Sequence, residues 1–91
     1  MSTIICRVVH QGEPVQVLSR HSDRQIWKCP ITLREVGGMV ADEFAATMTG
    51  NDAQCRYRDM DLVAVTLRFA THEYEGRTYQ DVLVTDIVKL A

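Results

Sequence analysis

The side chains able to do chemistry fall into three small groups. The first is Arg20, His21, Arg24 and Lys28, set in the polar stretch S-R-H-S-D-R-Q and the residues after it. Guanidinium and ammonium groups at that spacing suit phosphate contacts, where binding releases condensed counterions. The same residues also read as a solvated polar loop. Residues 1–34 carry five basic side chains, Arg34 the last of them, against Glu13 and Asp23, a local balance of +3. The rest of the chain is acidic, and the whole sums to −2. Overall charge therefore argues against a general nucleic-acid binder, and its distribution argues for a local positive field. The second group is Trp27 alone, the one tryptophan. It reads either as a stacking platform for a base or as a core residue. The third is Tyr74, Arg77 and Tyr79, around the turn Tyr74-Glu75-Gly76-Arg77. The two tyrosines read as ligand rings or as a cross-strand pair that steadies a hairpin.

Catalysis finds little support. His10, His21 and His72 lack metal-ligand spacing, and Gly37-Gly38 has no phosphate-loop motif around it. Glu73 and Glu75 alternate and read as solvent-facing charges. Cys6, Cys29 and Cys55 are far apart and odd in number. That spacing excludes a C-x-x-C redox or zinc site and fits buried thiols in a reducing compartment. No N-terminal run resembles a signal peptide, and no stretch approaches a membrane span. The expectation is a cytoplasmic, non-catalytic protein with no cofactor and no metal.

The elements that position these groups are strands. The 91 residues fit one domain spanning 1–91. Thr3 to Val9 is rich in β-branched residues and continues after Gly12 and Pro14 as V-Q-V-L. This predicts one long first strand bent or bulged near Gly12. Ile26 to Glu35 alternates, with Trp27, Cys29, Ile31 and Leu33 on one side and Lys28, Thr32 and Arg34 on the other. Pro30 within it predicts exposure on one side or local irregularity. Residues 39–48 fit helix or strand, and a strand from residue 43 is preferred. Thr49 to Asp52 ends it, and Asn51 or Asp52 caps a short helix. Val63, Val65, Leu67 and Phe69 are expected inside. Thr78 to Leu90 completes a hairpin, with Val82, Val84, Val88 and Leu90 on one side and Leu83 and Ile87 on the other.

Five strands with one short helix between the third and fourth define an all-β, five-stranded barrel of the oligonucleotide/oligosaccharide-binding (OB) type. The segment from Asp59 to Leu90 also resembles the closing hairpin of bacterial single-stranded DNA-binding proteins. The matching residues are Asp61, Leu62 to Phe69, Tyr74, Gly76-Arg77, Tyr79 and Val84 to Leu90. It is similar as well to short bacterial OB domains of unknown function sharing the Tyr-x-Gly-Arg-x-Tyr-x-Asp turn. Those proteins carry exposed aromatics on their middle strands, where this sequence offers only Trp27 and Phe44.

The resemblance implies a module that binds single-stranded nucleic acid, DNA or RNA, through Arg20, His21, Arg24, Trp27, Lys28, Arg34, Tyr74, Arg77 and Tyr79. In an OB fold the loop after the first strand and the closing hairpin border the ligand groove. The alternative is a protein-interaction or assembly domain, because the fold hosts both functions. Thr3 to Val9 has few charges to guard its edge, which predicts a homodimer or larger oligomer built partly on that strand.

Overall fold

A computed structural model describes residues 2–18, 24–37 and 41–91. The sequence forms β1 (Ser2–Gln11), β2 (Val15–Leu18), β3 (Gln25–Glu35), β4 (Glu43–Thr49), α1 (Asn51–Gln54), β5 (Leu62–Tyr74) and β6 (Arg77–Lys89). Neighbours run β1-β5-β6-β4-β3-β2, and β1 also pairs with β3. That last pairing closes the sheet into a barrel of β1, β3, β4, β6 and β5. All pairings are antiparallel except β4 with β6. This order, with α1 between the third and fourth barrel strands, is the OB topology.

The expected long first strand is two segments, β1 and β2, and both pair with β3. Gly12 lies in the gap, and the reason is a close approach. A Cβ there would sit 2.7 Å from Pro30 Cγ, and the Gly12 N–H reaches the Pro30 carbonyl at 2.9 Å. A bulge sits just before the break, where the β1–β3 register shifts between Val8 and His10. Gln11 ties this corner to the segment that follows α1. Its buried side chain donates to the Cys55 carbonyl at 2.7 Å and accepts the Tyr57 N–H at 2.8 Å.

The core is filled by Cys6, Val8, Cys29, Ile31, Leu33, Ala46, Met48, Ala53, Val63, Val65, Leu67, Val84 and Ile87. Odd-numbered residues of β3 and β5 supply six of these thirteen, because the strand period of two sends them to one face. Three expectations are corrected here. Phe69 is 59% exposed rather than inside. Beyond Leu67, β5 has no β1 residue beside it, since the β1–β5 register ends at Ser2 opposite Leu67. The strand therefore leaves the barrel as one arm of a free hairpin. On β6 the strict alternation fails at Thr85. Thr66 faces Asp86 while Leu67 faces Val84, so Thr85 is the extra residue of a bulge. Its hydroxyl donates to the Thr66 carbonyl at 3.1 Å. The bulge shifts the phase by one. Val84 and Ile87 consequently both point inward, and Val88 and Leu90 face out. Finally, α1 is capped by Gly50, with no side-chain cap from Asn51 or Asp52.

Candidate nucleic-acid interface

Register places most of the chemistry-bearing side chains on the outer surface of one sheet. Residues directly opposite one another across a ladder point to the same side. Pro30 faces Thr47, Thr47 faces Leu83, and Leu83 faces Arg68. The row thus crosses β3, β4, β6 and β5 on the outside of the barrel. Lys28, opposite Thr49 and Val15, lies on the same surface toward one end. The hairpin lies toward the other end, because β4 and β6 run parallel and β6 begins at the turn.

The hairpin extends well past the barrel. Tyr74 faces Arg77 at its tip, and Glu75 and Gly76 between them have φ of 51° and 77°. Two successive positive φ values match the twist of the flanking strands, and Gly adopts one without a Cβ clash. On its outer face this hairpin carries Arg68, His72, Tyr74, Arg77 and Tyr79. Tyr74 is 63% exposed and Tyr79 43%. The Tyr74–Tyr79 cross-strand pair, one of the two readings of these rings, does not form. Tyr79 instead faces His72, and the two rings stack with centroids 5.3 Å apart at 17°. Asp81 fixes the imidazole by accepting from His72 Nδ1 at 2.7 Å. Ring, ring and carboxylate thus stand side by side on the outer face of the hairpin.

The remaining predicted residues divide. Arg20 and His21 lie outside the described residues. Arg24 is exposed immediately before β3, and Lys28 is exposed on it. Neither makes an ion pair among the described residues, and the same holds for Arg68 and Arg77. Arg34 differs. Its Nε donates to Glu43 Oε2 at 3.0 Å, and Nη2 reaches the same oxygen. Its charge is paired on the surface with Glu43, which sets it apart from the cations that have no carboxylate partner among the described residues. Trp27 is half-buried and packs against the core. It shares the inward phase of Cys29, so its ring is not a platform on the outer surface. Phe44 packs on the core as well.

Sequence reading missed two contributors, Arg68 and His72, and misplaced Phe69. Arg68 and His72 were legible as outward positions of an alternating strand, two and six residues past Thr66. Phe69 continued the inward phase of Val63, Val65 and Leu67, and nothing local marks where the barrel wall stops.

Nucleophilic chemistry is disfavoured at the buried thiols. Burial first, and the Glu35 carboxylate second, push the Cys6 thiol up to about 11. That is opposite to the shift an attacking thiolate needs. The Cys29 thiol is buried and donates to the Gly12 carbonyl at 3.2 Å. Among the described residues, no group of three or more His, Cys, Asp or Glu side chains could hold a metal ion. No helix among them is long and apolar enough to cross a membrane.

No protein-family model matches the chain, and no curated protein matches its sequence. Among solved structures it is similar to the crystal structure of a small single-stranded DNA-binding protein from Streptomyces coelicolor. Identity is 15%, the match covers 97% of this chain and 91% of that one, and the TM-score is 0.41. The likeness is distant, and the barrel topology stands on the strand pairing described above.

Proposed function

We propose that this chain is a non-catalytic OB module, a single domain over residues 1–91, that binds single-stranded nucleic acid weakly and with little sequence preference. The favoured ligand is single-stranded DNA, and the setting is the cytoplasm. The observation that carries the reading is the outer face of the β5–β6 hairpin. There Tyr74, Tyr79 and His72 stand exposed beside Arg68 and Arg77, which have no carboxylate partner among the described residues. Rings beside cations are the two parts such binding needs. Bases stack on any π-face, while arginines follow the phosphates without reading sequence. Arg24 and Lys28 extend the positive track along the same sheet surface.

The binding mechanism is additive. One or two bases stack on the Tyr79–His72 pair and on Tyr74, each worth about 1–3 kcal/mol. Phosphates on either side meet Arg77 and Arg68, then Lys28 and Arg24. Stacking uses the π-face that every base has, so all four bases are accepted.

The test is a low-salt anisotropy titration of labelled oligo-dT against the wild type and the Tyr74→Ala/Tyr79→Ala variant. The reading requires binding by the wild type and a loss of about tenfold or more in the variant. Absence of binding at low salt sinks it, and equal binding by the variant sinks the stacking platform. Protein interaction is the second reading, favoured by a different observation: the apolar outer face that β1, β5 and β6 form on the stretch of sheet beyond the hairpin.

A further inference from the structure

The outer face of β1, β5 and β6 is apolar where a barrel wall facing water would be polar. Ile5 faces Ala64, and Ala64 faces Val88. Val36 joins the end of this row through its N–H to the Ile5 carbonyl at 3.0 Å. In the next row Leu62 lies opposite Arg7, and Leu90 donates its N–H to the Leu62 carbonyl at 2.7 Å. Ile5, Val36, Val88 and Leu90 are each 41–50% exposed. Single exposed aliphatics need no explanation, but adjacent ones across three strands mark a contact surface.

The two polar corners of this face identify what covers it. Arg7, on β1, makes no ion pair among the described residues. One nitrogen donates to the Met60 carbonyl at 3.0 Å, which leaves most of its donors free. Asp86, on β6, lies at the diagonally opposite corner, in the row of Thr3 and Thr66. It too has no ion-pair partner among the described residues. Asp86 also sits near enough to Asp52 to add, after burial, to the rise in the Asp52 carboxyl pKa. An excess of negative charge therefore waits at one corner and an unpartnered positive charge at the other.

We propose that this face pairs two copies of the chain in a two-fold dimer, with Arg7 of each copy on the partner's Asp86. The axis lies between the faces, along the diagonal from Thr3 to Leu90. That operation carries Arg7 over Asp86, Val88 over Leu62, and Leu90 onto its own counterpart. The strands of the two copies cross near a right angle, a recognised way for sheets to pack. An isologous interface demands this self-complementarity, in which one residue meets a second and the second meets the first. The edge of β1 is not the joint, since β5 takes residues 2–7 and β3 takes most of residues 6–11. The strand contributes its outward side chains Ile5 and Arg7. The hairpin rings lie on another stretch of the sheet, so two copies present two nucleic-acid surfaces.

Sedimentation equilibrium without nucleic acid tests the dimer apart from the ligand reading. The wild type should show twice the 10.3 kDa chain mass. Arg7→Asp and Asp86→Arg should each weaken the dimer by about tenfold or more, through two like-charge contacts per dimer. Mixing the two single variants should restore the dimer, because each then supplies the charge the other lacks. The double variant should also dimerise. Val88→Asp should be monomeric with an unchanged far-UV spectrum, since Val88 lies outside the core. A wild type that stays monomeric at millimolar concentration overturns the proposal. So does a dimer that none of these variants weakens, or single variants that fail to recover on mixing.

Discussion

Replacing Arg24, Lys28 and Arg77 together with alanine separates a phosphate track from a merely basic surface. Four cations on the binding surface have no carboxylate partner among the described residues: Arg24, Lys28, Arg68 and Arg77. On a single strand each phosphate contact contributes about 0.7 to the slope of log K against log salt, so four give about −2.8. Raising salt from about 50 to about 200 mM should then weaken wild-type binding about 50-fold. The triple variant retains one contact and a slope of about −0.7, so the same change should cost it only about threefold. Arg34→Ala is the internal control. Its guanidinium already serves Glu43, so the slope should stay close to the wild-type value. The assay is fluorescence anisotropy of labelled oligo-dT across a salt series, with circular dichroism to confirm folding. An unchanged slope in the triple variant refutes the phosphate contacts. A slope loss in Arg34→Ala as large as that of a free cation refutes the assignment of free and paired charges.

Three further outcomes bear on the scaffold. Gln11→Leu should destabilise by about 2 kcal/mol in urea titration, although Leu is more apolar, because the Cys55 carbonyl and Tyr57 N–H lose their partner; no loss would show that water satisfies them. Glu75→Asn should raise Tm by about 4 °C, since Glu75 sits at φ 51° and Asn tolerates that region better; an unchanged or lower Tm would place the stability limit elsewhere. Asp61 is held below the usual carboxylate range first by the Arg58 N–H at 2.9 Å, then by Lys89 at 3.5 Å. A depressed carboxylate stabilises the fold above its unfolded value of about 3.9 and loses that contribution as pH falls through the folded value. Asp61→Asn should therefore be less stable than wild type at pH 6, and the gap should close as pH falls below about 4; a gap independent of pH would refute the linkage.

The barrel was legible because its signals are local and periodic. Odd-numbered apolar residues in β3 and β5 specify an inward face, and Glu75-Gly76 specifies a tight turn. What stayed hidden depends on the neighbour. Phe69 has the phase of a core residue, yet β1 ends opposite Leu67 and leaves it in water. Val88 and Leu90 have the phase of Val84 only if β6 has no bulge, and nothing in T-D-I-V marks Thr85 as the extra residue. Gln11 reads as a polar residue near a turn, and its role needs Cys55 and Tyr57 from the segment that follows α1. The site was half visible for the same reason. Tyr74, Arg77 and Tyr79 share a hairpin that the turn announces. The partner of Tyr79 is His72 rather than Tyr74, which only the register decides. Arg34 carries a charge in the sequence that Glu43 pairs in the fold.

The most direct measurement is a map of amide chemical-shift changes as oligo-dT is added at low salt. Binding on the outer hairpin face predicts the largest shifts at Arg68, His72, Tyr74, Arg77 and Tyr79, with smaller ones at Arg24 and Lys28 and none at Ile5, Ala64 or Val88. Absence of shifts, or shifts centred on the β1–β5–β6 face instead, would contradict a nucleic-acid surface built on the β5–β6 hairpin.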